Sequence, residues 1–501
     1  MGVMRFRVRP RDLLDDWPEV YRGYISGMDG RVYATRIEVD DDIVTCRRQI
    51  SESGRLNVAW PIEGMGRPVV TTSSLAERDE PYILAVELAR GKIAQVRDQS
   101  SAWDISGMIV PDEFQQVSRQ AHSAFAKASA AQDDPQESSE LAHLALVKAY
   151  EAANILSRAY TEQRLNVRRK RSKNLPASLG CHLGQSVFEE NEGQSFCRVF
   201  NSAGVPVEWR HVEPVEGEYH WETFDAQVEW CRQNKLLMYG GPLLDLSPNG
   251  LPSWLWQWEH DVLNLQSFVC DFVETAIGRY QGTIRNWEVS ARVNTGGVMT
   301  LNEEQRLSLV ARSLEVARQV DEEVQLMIRI DQPWGEYQAR GQHRLSPVQF
   351  VDALIRSGVG LSGVNLEFGV GYRPRGSAPR DLLDFSRLID QWSQLSIPLH
   401  VTLALPSEVG EDSLARSDLE VDSSYSTHIW NEEIQAEWVD RFLPLLMAKQ
   451  SVVGIFWGHF SDAGVHHFPH AGLLRPDGSP KPVLDHILNY RLEYWSPENE
   501  A

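Results

Sequence analysis

From residue 176 onward the chain alternates between short apolar runs and longer stretches of helical periodicity. The runs PASLGCHLG, GVPVEWR, LLMYGGPLL, TIRNWEVS, VQLMIRID, GVNLEFG, LHVTLAL and VVGIFWGHF are mostly apolar at consecutive positions. That pattern suits parallel strands buried on both faces. Between them, ETFDAQVEWCRQNK, NLQSFVCDFVETAIGRY, LNEEQRLSLVARSLEVARQV and NEEIQAEWVDRFLPLLMAKQ read as helices. A capping box from Thr300 to Glu303 opens one of them. Strand–helix alternation of this kind predicts an α/β fold, a (β/α)8 TIM barrel over residues 176–492. A doubly wound open sheet is the alternative, weakened because no Gly-rich phosphate loop follows any strand.

Residues 1–108 follow another pattern. RVYATRIEVDD, DIVTCRRQI, RLNVAWPI, RPVVTTSSL and YILAVELAR are short runs rich in Val, Ile, Thr and Tyr, separated by Gly and Asp clusters. They predict a small β-rich, sandwich-like domain. Residues 109–175 predict a helical hairpin and a basic linker. Pro111, Asp112 and Glu113 suit a first helical turn. AQDDPQESS interrupts the run, and Leu141, Ala145, Ala149, Ala152, Leu156 and Tyr160 then form one stripe. The basic run Arg168–Lys173 reads as a solvated connection.

Composition narrows the partners. The formal net charge is -21, which repels nucleic acid and anionic membrane, so neither is expected as a partner. No segment is apolar enough to span a bilayer. The N-terminal stretch lacks the apolar core of a signal peptide, so a cytoplasmic location is expected. The five cysteines are scattered and suggest neither disulfides nor a zinc site. Protein partners are not legible.

A barrel of this type builds its site at the C-terminal ends of its strands. Those ends carry Glu208 and Trp209, Asp245, Arg292, Arg329 and Asp331, Glu367, and Trp457 with His459. Trp254, Trp256, Trp258 and Trp334 lie in the loops, and Trp230, Trp392 and Trp438 read as core. Flat aromatic faces suit sugar rings and carboxylates suit their hydroxyls. A carbohydrate or other polyhydroxylated ligand is therefore expected, with Trp457, Trp209, Arg292, Arg329, Asp331, Asp245, Trp256 and Trp334 as its binding residues. The run HFSDAGVHHFPH matches no standard zinc spacing and reads as a polar loop. No cofactor and no metal is expected.

FNSAGVPVEWRHVEPVEGEYHWETFDAQVEWCRQNKLLMYGGPLL, NWEVSAR, IPLHVTLALP and GIFWGHFSD followed by AGLLRPDGSPKPV resemble, in order and spacing, motifs of glycoside hydrolase family 10. That is the endo-β-1,4-xylanase family, and the resemblance spans about residues 176–490. It implies a retaining mechanism on β-linked xylan. One glutamate protonates the leaving oxygen and a second, about 5–5.5 Å away, attacks the anomeric carbon. Matched position by position, the acid/base glutamate falls on Arg292 and its neighbouring asparagine on Ala291. The nucleophile falls on Leu403, after Thr402. Glu367 stands for a glutamine, Gly369 and Gly241 for histidines, and Asp245 for a tryptophan. Trp209 and Trp287 are kept, and Glu288 matches an aspartate.

A guanidinium stays protonated at ordinary pH and cannot serve as a general acid, and leucine has no lone pair to attack with. The resemblance thus implies a barrel without its standard machinery. Glu367 and Glu408 are the weak candidates for relocated catalytic carboxylates. The plainer expectation is that Glu367 and Asp331 pair with Arg292 and Arg329 across the barrel mouth, which would depress the carboxylate pKa values. Three functions remain: a divergent, non-hydrolytic member with a carbohydrate-like ligand in its groove, an active glycosyl hydrolase with relocated carboxylates, or a structural or protein-interaction barrel. An open groove with two suitably spaced carboxylates favours the enzyme. An open groove with tryptophans favours binding, and a mouth plugged by Arg292 favours the third.

Overall fold

The structure, a computed structural model, describes residues 2–172, 174–341, 343–424 and 430–495. Eight parallel strands close a barrel: β1 (Ser178–His182), β2 (Ser202–Val205), β3 (Leu237–Gly240), β4 (Asn286–Ala291), β5 (Gln325–Asp331), β6 (Leu361–Gly369), β7 (Leu399–Ala404) and β8 (Val452–Trp457). Each pairs in parallel with the next, and β8 returns to β1 through Gly454–Ser178 to Trp457–Cys181. Closure removes both sheet edges. Helices between the strands supply the outer layer, and one apolar cluster runs from Leu165 to Trp495 between barrel and helices. The eight strands are those expected from the apolar runs.

One helix starts two residues later than expected. Asn302 is the N-cap of Glu303–Val320 and exchanges hydrogen bonds with Gln305, so the capping box is Asn302–Gln305 rather than Thr300–Glu303. Both pairs have the right spacing, but the Asn302 backbone is extended and its side chain reaches the Gln305 N–H.

The first hundred residues hold two small sheets. One contains Thr35–Asp40, Ile43–Arg48, Gly2–Arg7 and Tyr82–Ile83, the other Val32–Tyr33, Tyr24–Ser26, Arg55–Ala59 and Val69–Thr71. YILAVELAR is not a strand throughout. Only Tyr82–Ile83 pairs, and Leu84 begins a helix, α1 (Leu84–Ile105). Its first six residues, Leu84–Ala89, are all buried, in a core that also takes Phe6, Val44, Leu56 and Val70 from the sheets. At Gly91, α1 sits so close to the second sheet that an added Cβ would lie 2.1 Å from the Thr71 carbonyl oxygen. Only glycine allows that approach, which outweighs its poor helix propensity.

The helical hairpin is α2 (Asp112–Ala130) and α3 (Pro135–Arg171). Asp134 caps α3 through the N–H groups of Gln136 and Glu137. The expected basic linker is instead the last turn of α3, where cations favour the negative end of the helix dipole. Arg168 is buried and donates to the carbonyls of Met447 (2.6 Å) and Lys449 (3.0 Å), tying the helix to the barrel. Lys173 lies outside the described residues. Among the described residues, no helix is long and apolar enough to cross a membrane.

Candidate functional site

Arg292 follows directly on β4 in the left-handed backbone region, at φ 57°. Its N–H donates to the Arg329 carbonyl at 2.9 Å, which turns its side chain across the barrel mouth. The guanidinium forks onto Glu367 at the end of β6, with Nε–Oε1 and Nη2–Oε2 both 2.8 Å. Its Nη1 reaches Asp245 Oδ2, also at 2.8 Å. Arg329 on β5 donates to Glu367 Oε2 at 3.2 Å and grips Glu288 on β4 from below. Its Nη2 also meets His182 Nε2 at 3.0 Å. Asn365 bonds both Glu288 and Thr402. The axis of the barrel is thus filled by a buried lattice of three carboxylates (Asp245, Glu367, Glu288) and two guanidiniums.

The lattice controls ionisation. Burial pushes Asp245 upward, but Arg292 outweighs it and holds the carboxyl at about 2. Burial likewise opposes the Glu288 charge, and Arg329 brings that carboxyl below its ordinary value. Burial, with Arg329 adding to it, lowers His182 to about 3, so its imidazole is neutral.

Asp331 departs from the expected pairing. It makes no ion pair with either arginine among the described residues; Thr295 Oγ1 is 3.5 Å away and the Asp331 N–H bonds Asn294. Burial, reinforced by the negative Glu367, pushes its carboxyl up to about 7 rather than down. The native state therefore holds this proton between about pH 4 and 7, where the unfolded chain has released it. Stability from this group falls as pH rises through that window. Asp331→Asn should match the parent's Tm near about pH 4 and exceed it above about pH 7. Calorimetric melts across that range measure this, and an equal or lower Tm for the variant at alkaline pH contradicts it.

Leu403 lies with Leu179, Phe200, Val439 and Leu443 in the apolar layer between barrel and helices. Its neighbour Thr402 points inward, to Asn365 and His182. The inward position at this level is therefore Thr402, and it too has no carboxylate. Gly241, at φ 103°, has no room for a histidine: an added Cβ would stand 2.3 Å from the Glu288 carbonyl oxygen. Glu408 is exposed on the loop after β7, whereas Glu367 is buried against Arg292 and Arg329.

Trp209 is 1% exposed, stacks on Phe272 and donates to Glu213. Trp457 is 3% exposed and donates to the Ala471 carbonyl. Both are core rather than groove. Trp254 packs edge-on against Trp209, and Trp334 is wedged between Phe368 and Phe385 with Arg380 over its ring. Of the loop tryptophans named, only Trp256, at 41%, is broadly exposed.

What remains open at the mouth is a cavity of about 70 Å³ lined by His182, Glu208, Asp245, Arg292, His467 and Phe468 among others. Small-molecule pockets usually run from about 300 Å³ upward. The loop after β8 closes it. Phe468 lies under the Arg292 guanidinium at 5.8 Å, and burial and Arg292 keep His467 neutral. The sequence reading took His467 only as part of a polar loop and did not single out Phe468, because the loop that closes the mouth has no motif of its own.

In the same loop, His459, Asp462 and His466 bring ligand atoms within 4.8 Å of one another. Lys481 Nζ already neutralises Asp462 at 2.5 Å, His459 bonds Asp462, and His466 bonds Asp412, each at 2.9 Å. These contacts tie the three side chains to protein partners, although His459 Nδ1 is left without one.

Comparison with known proteins agrees with this architecture. Residues 178–402 match the model of Glycosyl hydrolase family 10. Endo-1,4-beta-xylanase B of Thermotoga neapolitana is 21% identical over 211 residues, covering 41% of this chain and 58% of that protein. Endo-1,4-beta-xylanase 3 of Hypocrea jecorina is 28% identical over 129 residues, covering 24% of this chain and 35% of that protein. The matched regions therefore span less than two thirds of either relative. The crystal structure of native xylanase 10B from Thermotoga maritima superposes with a TM-score of 0.50 at 16% identity, over 65% of this chain and 99% of that one. At that identity the likeness speaks for the fold alone.

Proposed function

With residues 178–402 forming a glycosyl hydrolase family 10 domain, we propose that the protein is a non-hydrolytic member whose barrel serves as a structural or interaction scaffold. The observation that carries this is the bidentate Arg292–Glu367 pair. It puts a permanent cation where a retaining glycosidase needs a proton donor. Both oxygens of Glu367 are held by arginine and the carboxylate is buried. A nucleophile must be free to meet an anomeric carbon, and Glu367 is not.

A carbohydrate-like ligand is the second reading, and one feature favours it. Beside the mouth, a groove of about 640 Å³ runs between the N-terminal sheets and the loops after β5 and β6. Tyr24, Asn57, Gln332, Tyr337, Arg340 and Arg375 line part of it. Titration with xylo-oligosaccharides, the natural probe given the names of the relatives, separates the two readings. The scaffold reading expects no saturable heat in calorimetry. Saturable binding weakened at least tenfold by Tyr337→Ala would replace it with the groove reading.

A further inference from the structure

A second large cavity lies away from the barrel axis, at the seam between the N-terminal region and the barrel. It holds about 730 Å³. Its walls come from the second small sheet, from α1, from Tyr150 on α3, and from the barrel helix Leu382–Ser393 with its following turn. Four acids and four cations line it, but they are not all paired with one another. Each acid has a partner: Asp384 takes Gln95 and faces Lys92, Asp390 takes Lys449 at 2.7 Å, Asp98 takes Arg97 at 2.9 Å, and Asp29 accepts the Arg31 N–H.

Two guanidiniums do not. Arg55, from the sheet strand Arg55–Ala59, and Arg387, from the helix, are both half-buried in this wall. Neither has an ion-pair or hydrogen-bond partner for its side chain among the described residues. Burial lowers the Arg55 pKa, and the positive charge of Arg387 lowers it further, so the two repel. In a chain of net charge -21, two unpaired arginines in the lining of one cavity are an unexpected arrangement.

The neutral groups point the same way. Tyr150 is 0% exposed, lines the cavity, and its hydroxyl has no hydrogen-bond partner. The buried hydroxyl oxygen of Ser74 is likewise unpartnered. A buried polar group left unpaired costs free energy, so the wall behind the cavity is not satisfied from within. Gln95, Gln99, Gln391 and Gln394 add amides that both donate and accept.

We propose that this seam cavity binds a small anionic, hydroxyl-rich molecule. Its carboxylate or phosphate would sit between Arg55 and Arg387, and its hydroxyls would meet the glutamine amides. Guanidiniums suit either oxyanion through paired N–H donors. The site does not depend on the state of the barrel mouth, so it stands or falls separately from the scaffold reading.

The test is isothermal titration of the full chain with gluconate, glucose 6-phosphate and neutral glucose. At least one anion should bind saturably, and glucose should not at the same concentrations. Which anion binds identifies the group recognised. Arg55→Gln and Arg387→Gln should each weaken binding at least tenfold. In the ligand-free state neither should melt below the parent, because each removes a repulsion, so lost binding is not lost folding. Arg55→Lys, which keeps the charge but loses the fork, should weaken binding less than Arg55→Gln. Absence of binding by both anions, equal binding of glucose, or unchanged affinity in both glutamine variants would overturn the proposal.

Discussion

Arg292→Ala is expected to lower folding stability by about 3–5 kcal/mol near neutral pH. The substitution leaves Asp245 and Glu367 in place, 5% and 1% exposed. Asp245 loses its only ion pair among the described residues, while Glu367 keeps Arg329. The contact with Phe468 is lost as well. Removing one side of a buried pair exposes the full desolvation cost of the other, which is why the effect is large. The pH dependence gives a second handle. Asp245 is held at about 2, below its unfolded value, so its contribution is present above about pH 4 and lost as pH falls through about 2. The gap between parent and variant should therefore narrow in acid. Urea denaturation at neutral pH and at about pH 3 measures both. A loss below about 1 kcal/mol at neutral pH would show that the lattice is not what holds the mouth.

Lys92→Met is expected to cost about 3 kcal/mol, for the same reason at a different place. Lys92 on α1 is 3% exposed and meets Asp381 Oδ2 at 2.5 Å, with Asp384 Oδ2 at 3.8 Å and the Tyr150 ring at 4.5 Å. Asp381 is also the N-cap of the helix Leu382–Ser393 and accepts the Asp384 N–H. The pair therefore ties the N-terminal region to a barrel helix. Burial raises the Asp381 carboxyl despite Lys92, so without the ammonium this group has little to keep it charged. Asparagine can still cap the helix. The double variant Lys92→Met/Asp381→Asn should accordingly be more stable than Lys92→Met alone, a coupling that a double-mutant cycle by chemical denaturation reads directly. If the double variant is no better than the single, the two side chains are not coupled as described.

What the sequence revealed follows from where periodicity is visible. The barrel strands are buried on both faces, so their apolar runs stand out from the amphipathic helices around them. The same full burial hid α1. Leu84–Ala89 are all buried, so no helical stripe shows, and Ile and Val made the run look extended. The basic end of α3 looked like a solvated linker because charge alone does not reveal a helix C-terminus or the carbonyls that Arg168 caps.

At the mouth, Arg292, Glu367 and Asp245 were named from their strand-end positions, and the structure brings these three together. Three things were not legible. Motif matching put Leu403 at the nucleophile position, but inward and outward sides depend on parity. Pairing shifts lie at Leu399/His400 on β7 and at Glu288/Ser290 on β4, where motif spacing cannot register them. The tryptophans were ambiguous because a ring that stacks on Phe272 and one that stacks on a sugar have the same chemistry. The seam cavity left no local trace, since Arg55 and Arg387 are brought together only by the tertiary fold.

The central claim is that the barrel persists without its cleavage chemistry, and hydrolysis tests it most directly. Purified protein should be incubated with xylan and with aryl β-glycosides across about pH 4–8, spanning the window in which Asp331 titrates. Release of reducing ends and of the aryl group should stay at the level of buffer. Glu367→Gln, Glu408→Gln and Asp331→Asn should be indistinguishable from the parent. Turnover by the parent that any one of these three substitutions abolishes would contradict the account, because it would mean that a carboxylate in or near the mouth still works.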